Sequence, residues 1–222
     1  MCAEQRRRWL SIERVLLGTG IVCLVWWGVV SLQATRYQRE QRATLERMRM
    51  AAPGVVDASA VLPTGFLIGS LDIPRLRLSA VIAEGDDDAT LKVAIGHLPD
   101  TALPWHEGNS ALAGHRDTFF RPLQHIRVGD ELRVSTIHGD FRYQVRETMV
   151  VGPNDVRVLD PAERPTLTLI TCYPFSYVGK APRRFIVRAE RTTTTEATTR
   201  LSSYPRIPSV VARKQLHEIL EL

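Results

Sequence analysis

A chain of 222 residues has room for one ordinary domain with attachments and not for two large ones. At 44% hydrophobic and 24% charged residues it can build a core, which excludes a collagen-like, mucin-like or wholly disordered chain. The net charge of +5 is no nucleic-acid footprint: Arg6, Arg7, Arg8 and Arg14 against Glu4 and Glu13 place +2 of it in the first 33 residues, leaving +3 for all the rest.

From Val15 to Leu32 the chain runs without a charge, about the length that crosses the hydrocarbon core of a bilayer as a helix. Trp26 and Trp27 in its second half and Arg on both flanks fit interfacial anchoring; a buried core helix is the alternative. The text after it, Leu32-Gln33-Ala34-Thr35-Arg36, is a poor cleavage site, so an uncleaved, single-pass signal anchor is expected over residues 15–33. Arg36, Arg39, Arg42, Arg47 and Arg49 follow the span and leave the charge count tied. A short basic tail ahead of a first apolar segment, with a long domain behind it, tips the orientation: residues 1–14 stay in the cytoplasm and the domain lies outside the cell membrane.

Residues 34–52 hold good helix formers and no breaker before Pro53-Gly54, which predicts a stalk helix, with a connector to residue 62. The pattern then changes to short apolar runs punctuated by Gly, Pro, Asn and Asp, the mark of a β-rich domain over residues 63–191. Strands are expected at Phe66–Ile73, Leu76–Ala83, Ser110–Ala113, Glu131–Thr136, Asp140–Val151, Thr166–Cys172 and Arg184–Ala189, with a hairpin turn at His138-Gly139-Asp140. Asp88 is the expected cap of a short helix, Ala89–Ile95, and a helical turn is expected around Phe120–Ile126. Many short strands and few helices point to a closed barrel or a sandwich. Residues 192–222 open with the low-complexity run TTTTEATTR, a linker by composition. The end has apolar residues at 211, 216, 219, 220 and 222, the spacing of a short amphipathic helix or of a tail with none.

Of three cysteines, Cys2 precedes the span and Cys23 lies within it, so the domain owns one thiol, Cys172, and no internal disulfide. An unpaired thiol in an oxidising compartment is either a used nucleophile or a small buried hydrophobe. The period of two puts Leu167 and Leu169 on one face of its strand and Thr168, Ile170 and Cys172 on the other, away from the core. The same parity turns Arg184, Ile186 and Arg188 outward, so Cys172 and Arg184 share one outer groove if the two strands are neighbours; Arg183 has the opposite parity. His115 follows Gly114 at the end of another strand. His97, His106 and His115 are nine residues apart, which matches no zinc signature.

The wording Gly96-His-Leu-Pro-Asp-Thr-Ala, Ala113-Gly-His-Arg-Asp-Thr-Phe-Phe, Thr168-Leu-Ile-Thr-Cys-Tyr-Pro-Phe and Ala181-Pro-Arg-Arg-Phe-Ile-Val-Arg-Ala resembles the sortases, cysteine transpeptidases of bacterial surfaces. It spans about residues 66–190 and is most similar to class D. The resemblance implies a closed eight-stranded β-barrel with short helices behind the N-terminal transmembrane helix. It carries the catalytic roles onto His115, Cys172 and Arg184, with Ile170, Thr171 and Tyr173 as expected substrate-binding residues. Asp117 and His97 lie in the same wording and read as structural or orienting. The implied reaction is cleavage of an LPxTG-like sorting signal through a Cys172 thioacyl enzyme. An amine, from a peptidoglycan precursor or a pilin lysine, then takes the acyl group, for protein anchoring or pilus linkage. No cofactor is expected. Asp86-Asp87-Asp88 reads as a solvated loop with a helix cap, Ca²⁺ binding as in some sortases being the alternative. The chemistry suits the residues: a thiolate is the nucleophile, an imidazolium protonates the leaving amine and a guanidinium holds the developing oxyanion. Three rivals are weighed: an L,D-transpeptidase, which wants Gly before its Cys where this chain has Thr171; a papain-like protease, whose Cys precedes its His; and a silent membrane-tethered binding module on the same barrel.

Overall fold

The computed structural model describes residues 3–50, 62–177 and 179–192. Its first element is one continuous helix, α1 (Ala3–Met50), about 72 Å long at 1.5 Å per residue. The apolar segment and the stalk are thus a single rod. From Val15 to Val29 its large apolar side chains are exposed, Trp26 and Trp27 among them at 74% and 70%. Its apolar stretch is long and hydrophobic enough to cross a membrane.

Eight strands follow: β1 (Leu67–Ile73), β2 (Leu78–Glu84), β3 (Ile95–His97), β4 (Asn109–Ala113), β5 (Glu131–Thr136), β6 (Gly139–Val151), β7 (Thr166–Tyr173) and β8 (Arg183–Arg191). They close in the order β1-β2-β3-β4-β7-β8-β6-β5, the mainly β, eight-stranded barrel expected. All neighbours are antiparallel except β2 with β3 and β4 with β7. A parallel neighbour needs a crossover, and α2 (Asp88–Val93) supplies it between β2 and β3.

Alternation sorts each strand's side chains. Inward residues such as Leu71, Ile82, Leu112, Val134, Val145, Leu167, Leu169, Val187 and Ala189 fill the lumen. The outer face of β4, β7 and β8 is also covered: Ala111, Ala113, Ile170 and Ile186 form a second cluster with Leu91 of α2, Leu98, Val158 and Leu159. A third cluster joins Leu45 of α1, 3% exposed, to Leu67 and Val81. β7 is buried on both faces yet keeps its Thr–Leu alternation, because the buried hydroxyls find partners: Thr168 donates to Asn109 Oδ1 at 2.7 Å.

Several expectations are corrected. The helix cap is Asp87, not Asp88: its carboxylate accepts the Ala89 and Thr90 amides at 2.9 and 3.1 Å. The helix ends at Val93, and Ile95 opens β3, a three-residue strand too short to show a period. Leu76 closes a 3₁₀ turn begun by Pro74, whose fixed φ suits a helical start, so β2 starts at Leu78. The turn around Phe120 is 3₁₀, Arg121–His125, and a further one, Val156–Leu159, was not foreseen. The hairpin loop is Ile137-His138, with Thr136 already paired to Gly139. The expected connector at Pro53-Gly54 and the tail from residue 193 lie outside the described residues.

Candidate active site

Three strands bring the predicted residues together by register. β4 runs parallel to β7 with Ala113 opposite Ile170, so His115, two residues further on, falls level with Cys172. β8 runs antiparallel to β7 with Arg184 directly opposite Cys172. Cys172 and Arg184 are therefore direct partners across β7 and β8, and His115, two residues past the end of β4, completes the row by extension of the β4–β7 register.

The backbone of His115 is fixed from both sides. The Gly114 amide donates to the Ile170 carbonyl at 3.2 Å, and the Phe120 amide donates to the His115 carbonyl at 3.1 Å. The Thr171 hydroxyl donates to the Gly114 carbonyl at 2.7 Å. Gly114 is there because of space: a Cβ would lie 2.8 Å from the buried Phe120 ring, closer than carbon atoms approach without displacement.

His115 and Cys172 are half-buried, so solvent and a substrate can reach them, whereas Arg184 is 5% exposed. Its guanidinium donates to the Ala181 and Arg183 carbonyls at 3.1 and 3.0 Å, a charged donor held in place by the loop it follows. Beside it a small, mostly apolar hollow is bounded by Ile170, Ile186, Val151, Pro153 and Val158. Among the described residues no three His, Cys, Asp or Glu side chains gather as a metal site.

The three expected substrate-binding residues separate. Ile170 shares the face of Cys172 and borders the hollow. Thr171 is buried and points the other way, its hydroxyl committed to Gly114. Tyr173 also has the opposite parity and sits with Phe175 and Phe185, ring centroids 6.1 and 6.2 Å away. Asp117 is exposed. His97, 1% exposed, pairs its Nδ1 with Glu84 at 2.8 Å inside the barrel wall. Sequence reasoning missed Arg116, which donates to the Tyr177 and Gly179 carbonyls at 2.8 and 2.9 Å and ties the β7–β8 loop to the segment after His115. A charged residue directly following the histidine was the available signal.

A sortase-domain family model matches residues 71–192, more than half of the chain and all three residues of the row. The chain belongs to the sortase family. Its members are cysteine transpeptidases. Sortase D of Bacillus subtilis (strain 168) is 34% identical over 197 residues, covering 82% of this chain and 98% of the relative. Sortase A of Listeria monocytogenes is 25% identical over 171 residues, covering 74% and 75%. Among solved structures, a Sortase D5 transpeptidase of Clostridium perfringens superposes with a TM-score of 0.59 at 28% identity, covering 72% of this chain and 98% of that one. The sortase barrel and the class D likeness read from the sequence are both supported by these relatives.

Proposed function

We propose that this sortase is held in the cell membrane by residues 15–33 and cleaves an LPxTG-like sorting signal outside the cell, with residues 1–14 in the cytoplasm. Residues 34–62 then serve as stalk and linker, 63–191 as the catalytic domain and 192–222 as linker and tail. The observation that carries the reading is the direct pairing of Cys172 with Arg184 across β7 and β8, with His115 two residues past the end of the neighbouring β4.

In the reaction, the Cys172 thiolate adds to the carbonyl carbon of the scissile Thr–Gly bond. The electron pair moves to the carbonyl oxygen, and the Arg184 guanidinium hydrogen-bonds that oxygen or the peptide around it. Collapse expels the glycine nitrogen, which takes its proton from the His115 imidazolium. An amine, such as that of a peptidoglycan precursor or a pilin lysine, attacks the thioester and loses a proton to His115, and Cys172 leaves as thiolate. Ile170, on the same face of β7 as Cys172, offers an apolar surface to a side chain of the signal. Thr171 acts as a positioning residue for Gly114 and hence His115. No cofactor takes part.

The test is amine-dependent transfer, scored apart from hydrolysis, with an LPxTG-like peptide. Cys172→Ala is expected to remove transfer while the thermal midpoint is kept. Transfer retained by that variant would refute Cys172 as the nucleophile, and no transfer by the parent chain would favour a silent scaffold.

A further inference from the structure

The stalk does not merely leave the membrane; it docks along the barrel in one direction. Its first hydrogen bonds to the barrel come from Gln38, whose amide donates to the Val93 carbonyl at 2.6 Å and whose carbonyl accepts the Val81 amide at 2.8 Å. Val93 ends α2, and the next strand, β3, starts at the rim where β4 finishes, because Gly96 pairs with Ala113, two residues before His115. Further along, Arg42 donates to Ser79 at 2.7 Å, and Leu45 is buried on Leu67 and Val81 with Ile137 packed beside it. The last contact is Arg49 with Asp140 at 2.8 Å. Asp140 opens β6, and the other end of β6, Val151, lies opposite Arg184. Arg49 is therefore at the rim far from Cys172. From the membrane outward, α1 meets the catalytic rim first and the β5–β6 turn last.

The distances are short. Six residues separate Leu32, the end of the apolar run, from Gln38, about 9 Å along a continuous helix. The catalytic rim also carries groups that suit a headgroup layer. Tyr177 of the β7–β8 loop is 46% exposed with the Arg116 guanidinium 5.9 Å from its ring centre. Arg183 is exposed beside it, as are Arg36 and Arg39 on the stalk. Aromatic rings with basic side chains are what interfacial, anionic-lipid-facing segments display.

We infer that the docked stalk turns the rim bearing Cys172, His115 and Arg184 toward the bilayer in which α1 is anchored, with the β7–β8 loop against its anionic headgroups. The inference rests on the membrane-anchor reading and deepens it. The catalytic rim is the lipid-facing one, so it reaches a peptide bond lying just outside the membrane.

The test uses the full chain in vesicles of phosphatidylcholine and phosphatidylglycerol carrying an acceptor dye on a headgroup. A donor dye is attached through a clickable residue at Ser176, in the β7–β8 loop, or at Glu107, in the loop between β3 and β4 at the far rim; both sites are exposed. The expected result is clearly stronger energy transfer from position 176 than from 107, with the difference shrinking when Gln38→Ala and Leu45→Asp undock the stalk. Equal or reversed transfer in protein that stays with the vesicles after an alkaline wash overturns the inference and leaves the catalytic reading untouched. Protein lost in that wash overturns the anchoring and the inference together. Soluble-peptide transfer, measured on the same samples, reports the catalytic reading separately.

Discussion

Arg184 shows how a single side chain's chemistry is set before any substrate arrives. It is nearly buried, its planar guanidinium fork is held by the Ala181 and Arg183 carbonyls, and its strand position lies directly opposite Cys172. An ammonium on a flexible stem cannot reproduce that fork. Arg184→Lys is therefore expected to lower the transfer rate by about 100-fold, the scale of losing one oxyanion donor, with little change in thermal midpoint; an unchanged rate would make Arg184 a structural residue. Gly114 acts by its missing side chain. Gly114→Ala pushes on the Phe120 ring, at an overpacking cost of about 1–3 kcal/mol, and displaces the His115 backbone two bonds away. Transfer should fall more than the folded fraction does, and equal losses would show that the site tolerates the shift. The pairing of Cys172 with Arg184 was legible in the sequence because strand parity put both on one outer face. The turning of Thr171 and Tyr173 to the opposite face was not weighed, since proximity to Cys172 in the chain was read without the parity of β7.

Among elements, the β5–β6 hairpin and the stalk carry the clearest energetics. Leu45→Ala on α1 removes a buried side chain from its cluster with Leu67 and Val81, which costs about 2–3 kcal/mol, or roughly 10 °C in midpoint for a domain of this size. No change would mean that the stalk is not docked. At the hairpin, the His138 ring lies 4.2 Å from Trp105, and burial holds its pKa below the ordinary histidine range. His106 is lowered by burial first and by the His138 and Arg191 charges after it. A lowered histidine binds its proton better in the unfolded chain, so its stability contribution is complete above the unfolded pKa of about 6.5. It is lost as pH falls below that value. Melting curves between pH 7 and 5 should drop less steeply for His138→Phe than for the parent chain; parallel curves would exclude the histidine. Strands of five or more residues could be read from alternation to within two residues at either end, as Glu131–Thr136 shows. β3 could not, because three residues carry no period. The docking of α1 was equally hidden: Gln38 binds backbone groups of Val93 and Val81, partners that exist only after the barrel has formed.

At the scale of the whole molecule, closure of the barrel turns distant segments into one chemical device. β4 and β7 are neighbours across more than fifty residues of chain, and β8 returns beside β7 after a short loop. A mainly β domain behind an apolar span was visible in composition and turn spacing, but barrel and sandwich stayed equal by pattern alone. Parity predicted an outer groove at Cys172 and Arg184, yet it could not show that Ile170 and Ile186 in that groove are roofed by Val158 and Leu159. That cover leaves a small, mostly apolar hollow beside Arg184, instead of an open sheet face. The central claim is that Cys172 holds the acyl group between the two halves of the reaction. Intact-mass measurement of the full chain mixed with an LPxTG-like peptide, with no amine present, tests it most directly. The prediction is an added mass equal to the peptide's N-terminal fragment less water, mapped to Cys172, discharged by an amine and absent from Cys172→Ala. Amine-dependent product formed without any adduct, or an adduct mapped to another residue, would contradict it.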